Sequence, residues 1–297
     1  MSDEKDNVLF EEVRELQQEG KAVGQDNTAV ILNEERRLSP PIDPDSVKRE
    51  MFVRSRRTFL IGGAAALAGI FGWRWMPDET KQSLLRRTFE FNERVSQFFY
   101  RPSRLAPEFP SERISPRRVN GLAGLEKEID PAAWTLSVGG LYGRDDDLKL
   151  TLDDIKALPR VEMITELKCI EGWSVIVQWA GARFADFAAK YRPMTIDASE
   201  PDVVNRPDKL VPYISLATPD NGYFVGWDMP SILHPQTLLA YEMNGEPLLP
   251  EHGAPLRLAS PTKYGIKLIK RIGRIEFNAE RPRDYWAESG YDWYSGH

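Results

Sequence analysis

Between Asp78 and Tyr100 the apolar residues Leu84, Leu85, Phe91, Val95 and Phe98 recur at helical spacing, while the intervening positions are charged or polar. This pattern predicts an amphipathic helix that Asp78 can cap after Pro77, with one apolar stripe to pack on the domain behind it. Residues 101–118 hold four prolines and predict an extended wrap over the surface, so the compact domain should open near Val119. From there period-two runs dominate. Trp134, Leu136 and Val138 alternate, and Tyr213 to Thr218, Leu256 to Ala259 and Ile272 to Phe277 are short β-rich segments. Asn244-Gly245 between apolar runs predicts a tight hairpin turn. Two helices interrupt them: Thr151 to Leu158, whose Thr and following aspartates suit a helix start, and Ala182 to Tyr191, with Phe184, Phe187, Ala188 and Tyr191 on one face. The sum is one mixed α+β domain, with neither an internal repeat nor a glycine-rich nucleotide loop.

Composition adds a boundary and excludes two classes. With 297 residues, 41% of them apolar, the chain can bury a core of catalytic size. Residues 1–50 carry 13 acidic and 7 basic side chains, which accounts for the whole formal charge of −6 and leaves the remainder nearly neutral. A neutral body without an evident basic cluster gives little reason to expect nucleic-acid binding. One cysteine, Cys169, excludes an intrachain disulfide, and with three histidines an all-protein zinc or iron-sulfur site is poorly supplied.

The amino-terminal third divides by composition into an acidic, disorder-prone extension (1–53), a segment over 54–76, and a helix and wrap (77–118) ahead of the domain at 119–297. Residues 54–60, Arg-Ser-Arg-Arg-Thr-Phe-Leu, precede an uncharged Gly/Ala-rich stretch and resemble a twin-arginine export signal, which implies a periplasmic location. Ala66-Leu-Ala68 offers a cleavage pattern. Against removal, Trp73 and Trp75 suit a membrane interface, so residues 58–76 can equally be a retained anchor in the inner membrane, at the short limit for a span.

The candidate chemistry centres on Cys169, within Glu166-Leu-Lys-Cys-Ile-Glu-Gly-Trp-Ser174 at an element boundary where a thiolate can enter a cleft and meet a thiophilic metal. Most ligands of such a metal would have to come from a cofactor. The segment Cys-Ile-Glu-Gly-Trp-Ser is similar to the molybdenum-ligand segment of the protein-methionine-sulfoxide reductase catalytic subunits, a branch of the sulfite-oxidase superfamily. His234-Pro-Gln-Thr-Leu-Leu239, Asn244-Gly-Glu-Pro-Leu248, His252-Gly-Ala-Pro-Leu-Arg257 and Pro261 to Lys270 resemble that family's pterin-binding half in the same order, so the likeness runs from about Val119 to Arg283.

The resemblance implies a sulfite-oxidase-like, molybdopterin-binding α+β fold and a molybdenum cofactor. It makes Cys169 the metal's protein ligand and the catalytic residue, Thr218 a pterin contact, and Arg257 and Lys270 phosphate holders, with backbone donors near Leu268 and Ile269. His252 stands where the family has Asn, and Asn120 matches a family Asn whose following aromatic and acidic residues are here Gly121-Leu-Ala-Gly124. Glu171 and Trp173 either orient the thiolate or pack beside it. The implied reaction is oxygen-atom transfer, in the direction of reducing an S-oxide such as methionine sulfoxide, with electrons from an external donor of the membrane-haem type. The alternatives are oxidation of a small sulfur substrate and a non-enzymatic pterin-fold module. Residues 192–209, rich in Pro and Asp, predict a surface loop able to border the substrate funnel.

Overall fold

A computed structural model describes residues 72–297 apart from Asn120 and Ala132, so the acidic extension, the arginine pair and most of the apolar stretch after it lie outside the described residues. The fold below is that of residues 77–297, a unit separate from 1–76. Helix α1 (Asp78–Phe99) leads into the extended wrap. Then follow β1 (Leu136–Gly139), β2 (Leu148–Leu150), α2 (Leu152–Lys156), β3 (Arg160–Lys168), β4 (Ser174–Arg183) and α3 (Phe184–Tyr191). The second half adds β5 (Tyr213–Ala217), β6 (Phe224–Asp228), α4 (Met229–Ile232), β7 (Leu238–Met243), β8 (Glu246–Pro247), β9 (Arg257–Ala259), β10 (Arg274–Asn278) and α5 (Tyr285–Glu288).

The strands form two five-stranded sheets. One has the order β2-β1-β10-β5-β6 and is antiparallel except for the β1/β10 pair; the other is β3-β4-β7-β8 with β9 also on β7. β1 is buried at every position, so its alternation of Leu136 and Val138 marks a strand covered on both faces. In the second sheet period two divides the side chains: Ala182, Leu239, Tyr241 and Leu258 join the main core, whereas Met163, Val177, Trp179, Leu238 and Ala240 form a smaller cluster. Where β4 meets β7 the register shifts at Ala180/Gly181, and a Cβ at Gly181 would stand 2.1 Å from the Leu239 carbonyl oxygen, so only glycine permits that approach.

Local signals explain the boundaries. Thr151 and Asp154 make a reciprocal capping box on α2. Asn244 and Gly245 both take positive φ, 54° and 79°, and turn β7 into β8. The predicted second helix starts later than its apolar pattern: Ala182 and Arg183 belong to β4, which runs directly into α3. The wrap is pinned to the second sheet, with Phe109 N–H donating to Ile164 O and Ser115 N–H to Ile176 O, both at 2.9 Å.

Helix α1 departs from expectation twice. Pro77, not Asp78, is the N-cap, and Asp78 instead pairs with Lys81 at 3.0 Å. The apolar stripe does not pack on the domain: no α1 residue is buried, and Leu84, Leu85, Phe91, Val95 and Phe98 are exposed. The contacts to the domain are polar, Glu93 with Arg281 at 2.7 Å and, just past the helix, Tyr100 Oη donating to Pro230 O at 3.0 Å.

Two lysines in the segment after β9 are buried and paired. Lys263 meets Asp228 at 2.9 Å, and Lys267 meets Asp284 at 2.5 Å while donating to the Trp293 carbonyl at 2.6 Å. Asp284 also accepts from Gly226 N–H and caps α5 through Ala287 N–H. Removing one member of a buried pair strands the other charge, so Asp284→Ala should cost roughly 3–5 kcal/mol, read as a lowered urea midpoint. Lys267→Met combined with Asp284→Ala should recover much of that loss.

Candidate active site

The hairpin β3–β4 pairs nine positions, from Arg160 opposite Ala182 to Lys168 opposite Ser174, and Cys169 opens its tip. The tip is closed by Cys169 N–H donating to Trp173 O at 2.9 Å and Gly172 N–H donating to Cys169 O at 3.1 Å, with Gly172 at φ 88°. This turn carries the thiol inward: Cys169 is only 4% exposed and lines a cavity of 330 Å³. Leu268 and Lys270 form part of the lining, and Tyr223, Trp286 and Tyr291 supply an aromatic wall. Tyr223 is fixed there by donating from its hydroxyl to Ile266 O at 2.5 Å.

A smaller cavity of 50 Å³ shares Gly265, Leu268 and Lys270 with the first and adds Arg118, Trp179, Met243 and Arg257. Arg257 is its unusual member. The residue is 5% exposed, and its guanidinium lies 4.7 Å from the Trp179 ring centroid and donates to the carbonyls of His252 at 3.0 Å and Leu268 at 3.4 Å. It has no carboxylate partner among the described residues, and its Nε has no partner there at all. Burial pushes Arg257 down to about 10, and burial together with Arg257 pushes Lys270 down to about 8. The Arg257 shift expresses the cost of burying a cation, and the Lys270 shift adds the repulsion of Arg257 to that cost. Lys270 Nζ donates to the carbonyls of Gly121 and Glu251.

Of the other residues singled out in the sequence, His252 is buried in the turn before Arg257, to which it offers its carbonyl, and its imidazole is pushed below the usual range by burial and by Arg257. Leu268 lines both cavities, but its N–H already donates to Gly265 O, so that amide is not a spare donor. Ile269 is fully buried and accepts from Leu258 N–H. Thr218 does not line either cavity: its hydroxyl donates to Asp220 and accepts from Tyr223 N–H, closing the β5–β6 turn behind the aromatic wall. Asn120 lies outside the described residues. Residues 192–209 do form a mostly exposed loop, beside Leu141 and Tyr142, but none of them lines the Cys169 cavity.

Sequence reasoning missed Arg118, which lines the smaller cavity and stacks on Trp173 at the hairpin tip. Its guanidinium lies 4.0 Å from the Trp173 ring centroid, and Trp173 Nε1 in turn donates to Glu171 Oε2 at 2.9 Å. The small cavity is thereby braced against the tip that bears Cys169. An Arg at the end of a proline-rich wrap carries no local signal of this, because the contact is made across the fold.

A thiol lining one cavity, and a buried cationic pocket that shares three residues with it, suit an anionic ligand whose far end is thiophilic. Residues 123–286 match the family model described as oxidoreductase molybdopterin binding domain. A relative in Azospira oryzae, provisionally named a protein-methionine-sulfoxide reductase subunit, is 32% identical over 278 residues, covering 91% of this chain and 98% of the relative. The Campylobacter jejuni protein-methionine-sulfoxide reductase catalytic subunit is 32% identical over 271 residues, covering 83% of this chain and 82% of that one. Among solved structures, the sulfane dehydrogenase SoxCD from Paracoccus pantotrophus aligns at 18% identity and TM-score 0.43 over 52% of this chain and 40% of its own. This chain belongs to the oxidoreductase molybdopterin-binding-domain family. It is a molybdopterin-dependent oxidoreductase with the α+β fold expected from its sequence, and its cofactor is the molybdenum cofactor.

The residues present fit that group: the orphaned Arg257 Nε, with Lys270 and Arg118 beside it, suits a phosphate, and the Cys169 thiol suits a soft metal. The pocket should also bind a simple anion. Because the folded-state pKa of Lys270 is depressed to about 8, the side chain loses its proton, and an anion its partner, as pH rises through that value. Sulfate added to cofactor-free protein should therefore raise Tm clearly at pH 6.5 and less at pH 9. Arg257→Met should remove most of the sulfate effect at both, as read by thermal scans.

Proposed function

We propose that this enzyme reduces an S-oxide of the methionine sulfoxide class in the periplasm, with Cys169 as the protein ligand to molybdenum. The observation that carries the reading is a buried Cys169 lining a cavity that shares Gly265, Leu268 and Lys270 with the Arg257 pocket. The cofactor supplies two-electron oxygen-atom transfer when bound, and the overall change takes a sulfoxide, two electrons and two protons to a thioether and water. Arg257, Lys270 and Arg118 hold the cofactor's phosphate, and the tip of β3–β4 fixes the thiolate. Tyr223, Trp286 and Tyr291 exclude water and offer ring edges to a thioether. Glu171 is the one carboxyl lining the cavity among the described residues and is positioned by the Trp173 indole to pass a proton to the departing oxygen.

The names of the relatives from Azospira oryzae and Campylobacter jejuni support the reductive direction. The paired Arg56 and Arg57 support export of the folded, loaded protein by the twin-arginine route, and a membrane haem protein is the electron donor expected of such a subunit.

Protein purified from a host that makes the cofactor should hold near-stoichiometric pterin and molybdenum and reduce methionine sulfoxide with a reduced viologen. Cys169→Ala should keep the pterin, lower or electronically alter the molybdenum and cut turnover by at least ~10³-fold, the scale of losing a residue that acts at the reacting centre. Glu171→Gln should lower turnover ~10²-fold with metal content unchanged. A loaded protein that oxidises sulfite yet reduces no sulfoxide would overturn the substrate assignment. Lysine at both Arg56 and Arg57 should leave the protein on the cytoplasmic side, as followed by cell fractionation.

A further inference from the structure

Helix α1 presents its apolar side away from the protein it is attached to. Glu93 and Tyr100, seven residues apart and therefore on one face, make its polar contacts with Arg281 and Pro230. Phe89 and Ser96, near that same face, are half-buried. Leu84, Phe91 and Phe98 repeat every seven residues about half a helical turn away, and Phe91 and Phe98 are 64% and 69% exposed. Leu85 and Phe99 flank this row and are also exposed, while Val95 and Phe99 border the groove between helix and domain. Arg87 and Arg94 stand along one edge of the stripe. A row of large apolar side chains with cations along one edge, on a helix whose other side is polar, has the composition of a helix lying in a lipid headgroup region.

The sequence leading into the helix indicates which apolar surface covers it. Exposed Trp73 and Trp75 stand just before Pro77, and no charged residue occurs from Thr58 to Gly72. The chain thus reaches α1 through an apolar run and an indole pair, the residue type that favours the membrane interface. We propose that the outward face of α1 (Leu84, Leu85, Phe91, Phe98) lies on a phospholipid surface, parallel to it, and holds the catalytic unit against the membrane. This does not depend on the substrate, on cleavage of the preceding segment, or on the cofactor.

The test uses the full-length chain with an environment-sensitive fluorophore at one position, Phe91→Cys or Phe98→Cys on the apolar face, Glu90→Cys or Gln97→Cys away from it. The unsubstituted protein, labelled in parallel, corrects for any reaction at buried Cys169. Vesicles of phosphatidylcholine with phosphatidylglycerol should shift the emission of the 91 and 98 labels to the blue and expose them to quenching by brominated lipid, with the 90 and 97 labels little changed. Phe91→Ser with Phe98→Ser should weaken vesicle binding about tenfold or more. It should leave reduction of free methionine sulfoxide unaltered. Co-flotation without a shift at 91 and 98 would overturn the proposal and assign membrane binding to the preceding segment alone. A blue shift already present without lipid would also overturn it, pointing to a second copy if it grows with protein concentration and to a segment of the same chain if it does not.

Discussion

A guanidinium buried against Trp179, with no carboxylate among the described residues to meet it, is the constraint around which the site is arranged. Burying a cation costs several kcal/mol unless an anion or a full set of acceptors compensates. The two carbonyls that Arg257 reaches, from His252 and Leu268, are partial compensation, and Nε is left over. The fold tolerates this because Trp179 lends its ring face and because the apolar part of the pocket lining, Leu268 and Met243 included, packs as ordinary core. Such an arrangement favours whatever binds an anion there. Cofactor uptake and folding stability are therefore coupled through one residue.

The buried lysines nearby show the contrast between a structural and a ligand-seeking cation. Lys263 and Lys267 are as deeply buried as Arg257, but each faces an aspartate, and burial lowers the pKa of each against the pull of its partner. Lys270, three residues after Lys267, donates to carbonyls and lines both cavities. One short segment thus alternates between fastening itself to the carboxy-terminal tail and presenting charge to the site.

How much of this was legible in the sequence depended on the range of the interaction that decides it. Caps, turns and period-two strands rest on neighbours a few residues apart, and the capping box at Thr151 and the Asn244-Gly245 turn came out as read. Cys169, Arg257 and Lys270 were legible because ordered segments resembled a family, and they line two cavities that share Lys270. Thr218 shows the limit of that route, since its hydroxyl is committed to the turn before Tyr223 and not to the cavity. The burial of Lys263 and Lys267 was illegible because it depends on Asp228 and Asp284, whose approach is made only by the finished fold. Periodicity located the apolar stripe of α1 correctly and misassigned what it meets, because the spacing of apolar residues fixes which face of a helix is greasy but not what lies against it.

The spacing between the thiol and the anion pocket follows from the segment at 265–270. Gly265 lies beneath the hairpin tip, where an added Cβ would sit in ordinary contact, 3.4 Å from Lys168 O and 4.0 Å from the Cys169 Cα. At the other end Lys270 enters the pocket beside Arg257, and between them Lys267 is clamped by Asp284 and the Trp293 carbonyl. A segment that packs against the cysteine turn at one end and is fixed in its middle by a buried ion pair cannot slide without breaking that pair. The tail after β10 lines neither the thiol tip nor the Arg257 pocket, yet Asp284 fastens the segment that runs between them. Trp286 and Tyr291, from the same tail, wall the larger cavity. The carboxy-terminal residues are therefore a structural part of the site, and the segment they hold is its ruler.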